Sequence, residues 1–435
     1  MLLAGGAAAA AAAAVRLTPY PLQGDVDAAR AASAASPLLA PTGLGSRAYL
    51  DVINGVVQSF LPFQNATTGS IIDPLEHVEE QYSTPCFAYA AAVLVDSGYD
   101  ATLLEPASRA LDSALSQLSN NTCASGHTNF FTFPAVQAFF LLKSHADAGR
   151  VATWEFYLNN INPAHYVNTA MNWGLVAVGG EFARVVVGGF GQGRFNSSTW
   201  WQRDLGGQIV NNEFTSTGNY QDHSGSAGLN PLPYDTFPLK YIAVMLAEGY
   251  STGNYTYSGV TTELMARAAW THLLQQSPRG EVMTGGRSSQ HQWNEAATAV
   301  IMEINAKTFA AAGDLASACI FRRAARIALR SVGRWQTGEG RLQIVKNWAD
   351  PALRFGYEEY SFLSNYNLLP VAQLAAAYGY AQEADAAAGS GGVHECAAFS
   401  DVGGFVYALP ELHMIAANAG GTYIQIETAA DPNYG

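Results

Sequence analysis

This sequence predicts an all-α fold: helical hairpins closed into an (α/α) toroid, a complete or incomplete six-hairpin barrel, with a possible short β segment at the C-terminus. Three observations predict it. Five stretches begin polar and aromatic and then continue as apolar helical runs. Amphipathic segments lie between them, and strand patterning is sparse until the last residues. A helix that is apolar nearly all round is buried on all sides, whereas one with a polar face lies outside.

The elements follow in chain order. Residues 1–41 open with MLLAGGAAAAAAAAV, an apolar run like that of a signal peptide but lacking a basic flank. Secretion is one reading and a low-complexity alanine tract the other, with a disordered or poorly packed leader expected up to about Pro41. Residues 42–420 form the toroid. PASRALDSALSQL (Pro106 to Leu118) and GVTTELMARAAWTHLLQQ (Gly259 to Gln276) have one polar face and read as outer helices. TNFFTFPAVQAFFLL (from Thr128), NTAMNWGLVAVGGEFARV (from Asn168), the stretch Gly218 to Tyr250, SSQHQWNEAATAVIMEI (from Ser288) and YEEYSFLSNYNLLPVAQLAAAYGY (from Tyr357) read as inner helices. Gly-Tyr pairs at Tyr99, Tyr250 and Tyr380 read as helix ends, because glycine takes the left-handed conformation that closes a helix. GTYIQIETA, from Gly421, is the one convincing strand, and 421–435 reads as the start of a β segment or as a truncated C-terminal region.

At 435 residues with 49% hydrophobic and 13% charged residues, the chain has the material for an extensive buried core. A net charge of −13 excludes a phosphate-backbone binder, which needs clustered Lys and Arg, but not an anionic sugar met by one or two arginines. The leader is too short to span a bilayer, and no membrane association is expected. GGFGQGRF (Gly188 to Phe195) lacks the strand and the Gly-Lys-Ser/Thr of a phosphate loop and reads as a turn. The cysteines Cys86, Cys123, Cys319 and Cys396 show no CxxC spacing, so neither zinc nor another cofactor is expected, while Cys86 and Cys123 are a possible pair in a secreted protein. Asn65, Asn120, Asn196 and Asn254 lie in N-x-S/T sites.

A closed ring of hairpins carries all inner-helix N-termini on one rim, so the polar, aromatic loops before them form one funnel. Trp173, Tyr234 and Tyr360 offer faces that stack on the C–H faces of sugars. Asn172, Asn294 and Asn365 offer directional amides for hydroxyls or a carboxylate. Asp222, His223, Asp235, Arg287, His291, Glu295, Glu358 and Glu359 supply acids, bases and charge, with His291 and Glu295 one helical turn apart on one face. For each residue singly, helix capping or core filling is the alternative.

The order of short motifs resembles the α/α-toroid polysaccharide lyases, the group of chondroitin, hyaluronate and heparinase-type enzymes. Asn172-Trp173 in AMNWGLVAVGGEF matches the Asn-Trp pair whose amide neutralises the uronate carboxylate. His223 and Tyr234 in DHSGSAGLNPLPYDTF match the His and the later Tyr, and Gly286-Arg287-Ser288 matches the Gly-Arg-Ser segment. The match covers roughly the middle third of the chain. It departs in lacking large β domains, in Gly174 after the tryptophan, and in a Pro-Leu-Pro insertion. Related α/α-toroid glycoside hydrolases act on glucuronate-containing glycans.

The resemblance implies a glycan substrate and one of two chemistries. In β-elimination Asn172 and Arg287 neutralise the carboxylate, His223 or Tyr234 takes the C5 proton, and Tyr234 protonates the leaving oxygen. In hydrolysis two carboxyl groups flank the bond, here Glu295 with Asp235 or Glu358, roughly 5 Å apart for retention or 6.5–9.5 Å for inversion. A helical scaffold that grips a partner along a concave face, without catalysis, is the third reading.

Overall fold

The computed structural model of the chain describes residues 17–37, 40–166, 171–191, 205–207, 213–222, 232–250 and 258–429. Its helices are α1 (Gln23–Ala35), α2 (Arg47–Phe60), α3 (Ser83–Asp96), α4 (Leu104–Asn120), α5 (Thr128–Leu142), α6 (Ala148–Asn160), α7 (Met171–Glu181, continued as a π-helix over Phe182–Val187), α8 (Pro233–Ala247), α9 (Ser258–Gln275), α10 (Trp293–Ala311), α11 (Leu315–Arg334), α12 (Leu363–Ala388) and the single turn α13 (Phe399–Val402). Three strands follow, β1 (Phe405–Leu409), β2 (Met414–Ala419) and β3 (Thr422–Glu427).

The apolar helices α3, α5, α7, α8, α10 and α12 each pack on the next, and α12 packs back on α3, which closes an inner ring. The more amphipathic α2, α4, α6, α9 and α11 lie outside it, α2 against α3 and α12, α4 against α3 and α5, and α11 against α10. The expected toroid is therefore formed. Burial explains the division: every residue of α3 from Ser83 to Val95 is buried, whereas α4 buries one side and exposes Glu105 and Asn120. The segment before α8 lies largely outside the described residues.

Several elements depart from the sequence reading. Gly98 and Gly249 do end their helices with positive φ, but Gly379 lies inside α12, which runs on to Ala388 because AQEADAAA continues the helix. The leader is packed in part: Leu22, Val26 and Ala29 are buried in a cluster with Ala269, Leu273 and Phe321. The β segment starts earlier than Gly421, as the antiparallel sheet β1-β2-β3. Its inward residues Phe405, Tyr407, Leu409, Met414 and Ala416 alternate with exposed ones in β1 and half-buried ones in β2. The disulfide joins Cys319 to Cys396, while Cys86 and Cys123 are free and buried. The pairing links α11 to the segment after α12, whereas Cys86 faces the interior of the ring.

A device that sequence reading missed recurs between hairpins. Tight turns closed by the bridges Gln64 to Ile71, Phe214 to Tyr220, Gln276 to Val282 and Gln336 to Leu342 each carry a glycine with positive φ against the backbone of an outer helix. Gln276 Nε2 donates to the Ala324 carbonyl at 3.0 Å, and Gln336 Nε2 to that of Val52 at 3.0 Å, so the turns also bond to those helices. At Gly280, with φ of +88°, an added β-carbon would overlap the Ile327 carbonyl. Gly280→Ala is expected to destabilise the protein by more than the roughly 1–3 kcal/mol of left-handed strain alone, because the clash adds to it. Chemical denaturation measures this, and a midpoint equal to that of the unchanged chain would refute the role of the turn.

Candidate active site

The N-terminal ends of all six inner helices enclose one cavity of about 220 Å³. Gln81 and Tyr82 come from the entry to α3, His127 and Phe130 from α5, Asn172 and Trp173 from α7, Tyr234 and Phe237 from α8, Arg287 and Trp293 from α10, and Tyr360, Tyr366 and Leu369 from α12. Pro134, Pro238 and Pro370 lie inside α5, α8 and α12. Each lacks the N–H that would bond to the carbonyl four residues earlier, those of Phe130, Tyr234 and Tyr366. The helices are thus one bond short at the turns that line the cavity.

The walls are aromatic. Tyr82 stacks on Phe130 at 4.6 Å, Phe130 meets Trp173 edge-on at 4.9 Å, and Phe237 meets Trp293 at 5.2 Å. Asn172 borders this wall and is buried. Its Nδ2 donates to Asp222 Oδ2, as does its backbone N–H at 3.3 Å, whereas its Oδ1 has no hydrogen-bond partner. The amide therefore presents an acceptor, suited to a hydroxyl or a protonated carboxyl, and Asp222 orients it from behind.

Opposite stands a polar cluster. The Arg287 guanidinium sits 4.5 Å from the Tyr234 ring centre and 5.9 Å from that of Tyr360. Ser288 Oγ lies 2.8 Å from Tyr360 OH and 3.3 Å from Tyr234 OH, and the two phenols are 3.5 Å apart. Burial pushes the Tyr234 hydroxyl above its ordinary pKa, against the opposing pull of Arg287, so it is a phenol ready to donate. The segment that presents Arg287 is strained, with positive φ at Ser288 (61°) and Gln290 (69°). Glu358 restrains it: its carboxylate accepts the 2.5 Å hydrogen bond from Ser288 N and one from Ser361 Oγ at 3.0 Å, and lies 3.1 Å from His291 Nε2. Burial raises the Glu358 carboxyl, but the His291 ring and the Ser288 N–H outweigh it and hold the group below the usual carboxylate range. From the other side Gln425 of β3 bonds to Thr284, so the small sheet braces the same loop.

Sequence reading missed His127, which stands directly before the apolar run of α5; its place just ahead of an inner helix was the available signal. Its Nδ1 is 2.9 Å from the Ser125 carbonyl, which fixes the tautomer with the proton on Nδ1 and leaves Nε2 as an acceptor. The ring packs on Trp173 at 4.9 Å, and burial lowers its pKa from the ordinary 6.5. A neutral imidazole of this kind is a competent proton acceptor.

Other sequence candidates lie elsewhere. His223 is outside the described residues. Glu295 is buried against Lys346 and accepts from the Val282 N–H, and Asp235 is buried against His272 at 2.8 Å with bonds from Asn219 and the Tyr220 N–H. Both occupy first turns of helices, where negative charge is favoured by the helix dipole, and neither lines the cavity. Asn294 bonds to Thr236 Oγ1, and Asn365 holds Gln81, whose Nε2 bonds to the Tyr360 carbonyl at 2.9 Å. His291 stands behind Ser288 through Glu358, and Glu359 is exposed. Thus Glu358 touches the cavity's polar cluster through Ser288. Glu358→Gln is expected to lower turnover roughly 10–100-fold by loosening the Arg287–Tyr360 geometry, while Glu359→Gln leaves it unchanged. Equal turnover in both variants would remove Glu358 from the site.

No family model matches the chain, and no curated protein sequence matches it. Among solved structures, it is similar to a possible member of the GH105 family from Salmonella enterica serovar Paratyphi A, with TM-score 0.53 and 12% identity over 78% of this chain and 95% of that one. It is also similar to an unsaturated glucuronyl hydrolase from Streptococcus agalactiae, with TM-score 0.52 and 11% identity over 83% of this chain and 96% of that one. At such identities the likeness establishes a shared fold, the α/α toroid.

Proposed function

We propose that this chain is a secreted carbohydrate-active enzyme that cleaves a uronate-containing poly- or oligosaccharide by β-elimination. One observation carries the reading. The described residues lining the cavity supply a guanidinium, a neutral histidine, two hydrogen-bonded tyrosines and sugar-sized aromatic walls, and they include no Asp or Glu. Hydrolysis by two carboxyl groups asks for the opposite composition. The neighbour described as an unsaturated glucuronyl hydrolase is in keeping with a uronate substrate. The Cys319–Cys396 disulfide supports an oxidising compartment.

In this mechanism Arg287 pairs with the uronate carboxylate, and Asn172 Oδ1 accepts from a substrate hydroxyl or from the carboxyl when protonated. Neutralising that carboxylate acidifies the C5 proton. His127 Nε2 takes this proton, the electron pair forms the C4–C5 double bond, and the C4–O bond breaks. The leaving oxygen receives the Tyr234 proton, and Ser288 and Tyr360 form the path by which solvent restores it. No water is consumed.

Incubation with a panel of uronate-containing glycans tests the proposal, with the ultraviolet absorbance of the conjugated product followed alongside reducing ends. Both should rise together. New reducing ends without the absorbance would make the enzyme a hydrolase, and neither signal on any uronate would overturn the substrate class.

A further inference from the structure

Directly beneath the catalytic cavity, on the axis of the ring, lies a second cavity of about 20 Å³, which shares Tyr82 and Phe130 with the first. It is large enough for a single water-sized body. Lys240 of α8 and Gln373 of α12 line it, with the thiol of Cys86 from α3. Lys240 is only 4% exposed, and among the described residues Cys86 is the one titratable neighbour acting on it. Its ammonium lies 4.7 Å from the Phe237 ring and 4.4 Å from the Tyr241 ring. Gln373 is 2% exposed, and neither its Nε2 nor its Oε1 has a hydrogen-bond partner.

Magnitudes show that this arrangement is incomplete. A desolvated cation gains less on an aromatic face than the burial of an unpaired ion costs. Burial accordingly lowers Lys240 to about 7, with only the nearby Cys86 opposing it. An unpaired ammonium and an unpaired amide N–H on one small cavity lack a negative partner. We infer that the axial cavity is a binding site for a monatomic anion, chloride under ordinary conditions, held between Lys240 Nζ and Gln373 Nε2. The Gln373 carbonyl, the other unpaired atom, is free to accept from the ammonium or from the Cys86 thiol.

Bromide is the probe. Crystals of the full chain grown in sodium bromide should give an anomalous peak beside Lys240, and the chain should melt about 1–3 °C higher in sodium chloride than in sodium gluconate at equal ionic strength. Lys240→Met should lose both effects. No anomalous peak in the unchanged chain overturns the site whether or not the variant folds, as does a chloride-dependent shift that persists in Lys240→Met. Neither readout involves turnover, so the result stands apart from the fate of the elimination mechanism.

Discussion

Tyr234→Phe is expected to fold normally and to lose roughly 10²–10⁴-fold in kcat, the range for removal of a general acid. Normal folding follows from what the substitution keeps. The ring retains its edge-on contact with Trp293 at 5.7 Å and its place under Arg287, and Ser288 and Tyr360 remain bonded to each other at 2.8 Å. Only the hydroxyl is lost, whose own contacts are the longer ones of 3.3 and 3.5 Å. The diagnostic is the leaving group. If Tyr234 protonates the departing oxygen, a substrate carrying an acidic phenol at C4 needs no such help and should restore most of the lost rate. An equal loss on both substrates would exclude the acid role while leaving a positioning role, and full activity on both would remove Tyr234 from the chemistry.

The fold was legible because burial writes itself into composition. An inner helix has neighbours on every side, so its sequence is apolar on every side, and α5, α8, α10 and α12 stand out for that reason. The lining of the cavity was legible to the same degree, since Asn172, Trp173, Tyr234, Arg287 and Tyr360 all precede or open such runs. Two carboxylates expected beside it, Asp235 and Glu295, do not line the cavity. Asp235 and Glu295 sit in the first turns of buried helices, a place where a catalytic acid and a charge that stabilises a helix N-terminus look the same in sequence. Their partners decide, and these lie 37 and 51 positions away, at His272 and Lys346. The Cys319–Cys396 pair, 77 residues apart, was hidden in the same way. The hairpin turns escaped because their glycines matter through contact with an outer helix of another hairpin, which no local pattern records.

His127→Gln provides the second large effect and tests the base. Glutamine keeps a planar polar side chain beside Trp173 but offers no proton acceptor of suitable basicity, so kcat should fall roughly 10²–10⁴-fold. The pH profile separates this from simple mispositioning. Burial disfavours the imidazolium, so the folded pKa lies below the ordinary 6.5. The neutral, active form is then populated throughout the neutral range and is lost only as pH falls through that lowered value. The unchanged enzyme should show an acid limb in kcat/KM with its midpoint below 6.5, and in His127→Gln the residual rate should lose this limb. Tyr234 sets the other boundary: burial raises its hydroxyl, so the phenol stays protonated to a pH above its ordinary value and the alkaline limb should lie correspondingly high. A single acid limb that persists unaltered in the variant would assign the proton transfer to another group, with His223 the residue to substitute next. A base whose proton sits on Nδ1 also predicts dependence on the Ser125 carbonyl. Ser125 has positive φ (51°), and its Oγ bonds to Glu80 at 2.8 Å. Ser125→Gly keeps the carbonyl but frees the turn, so it should weaken kcat while leaving the midpoint of the limb below 6.5, because the imidazole stays buried and only its orientation is loosened.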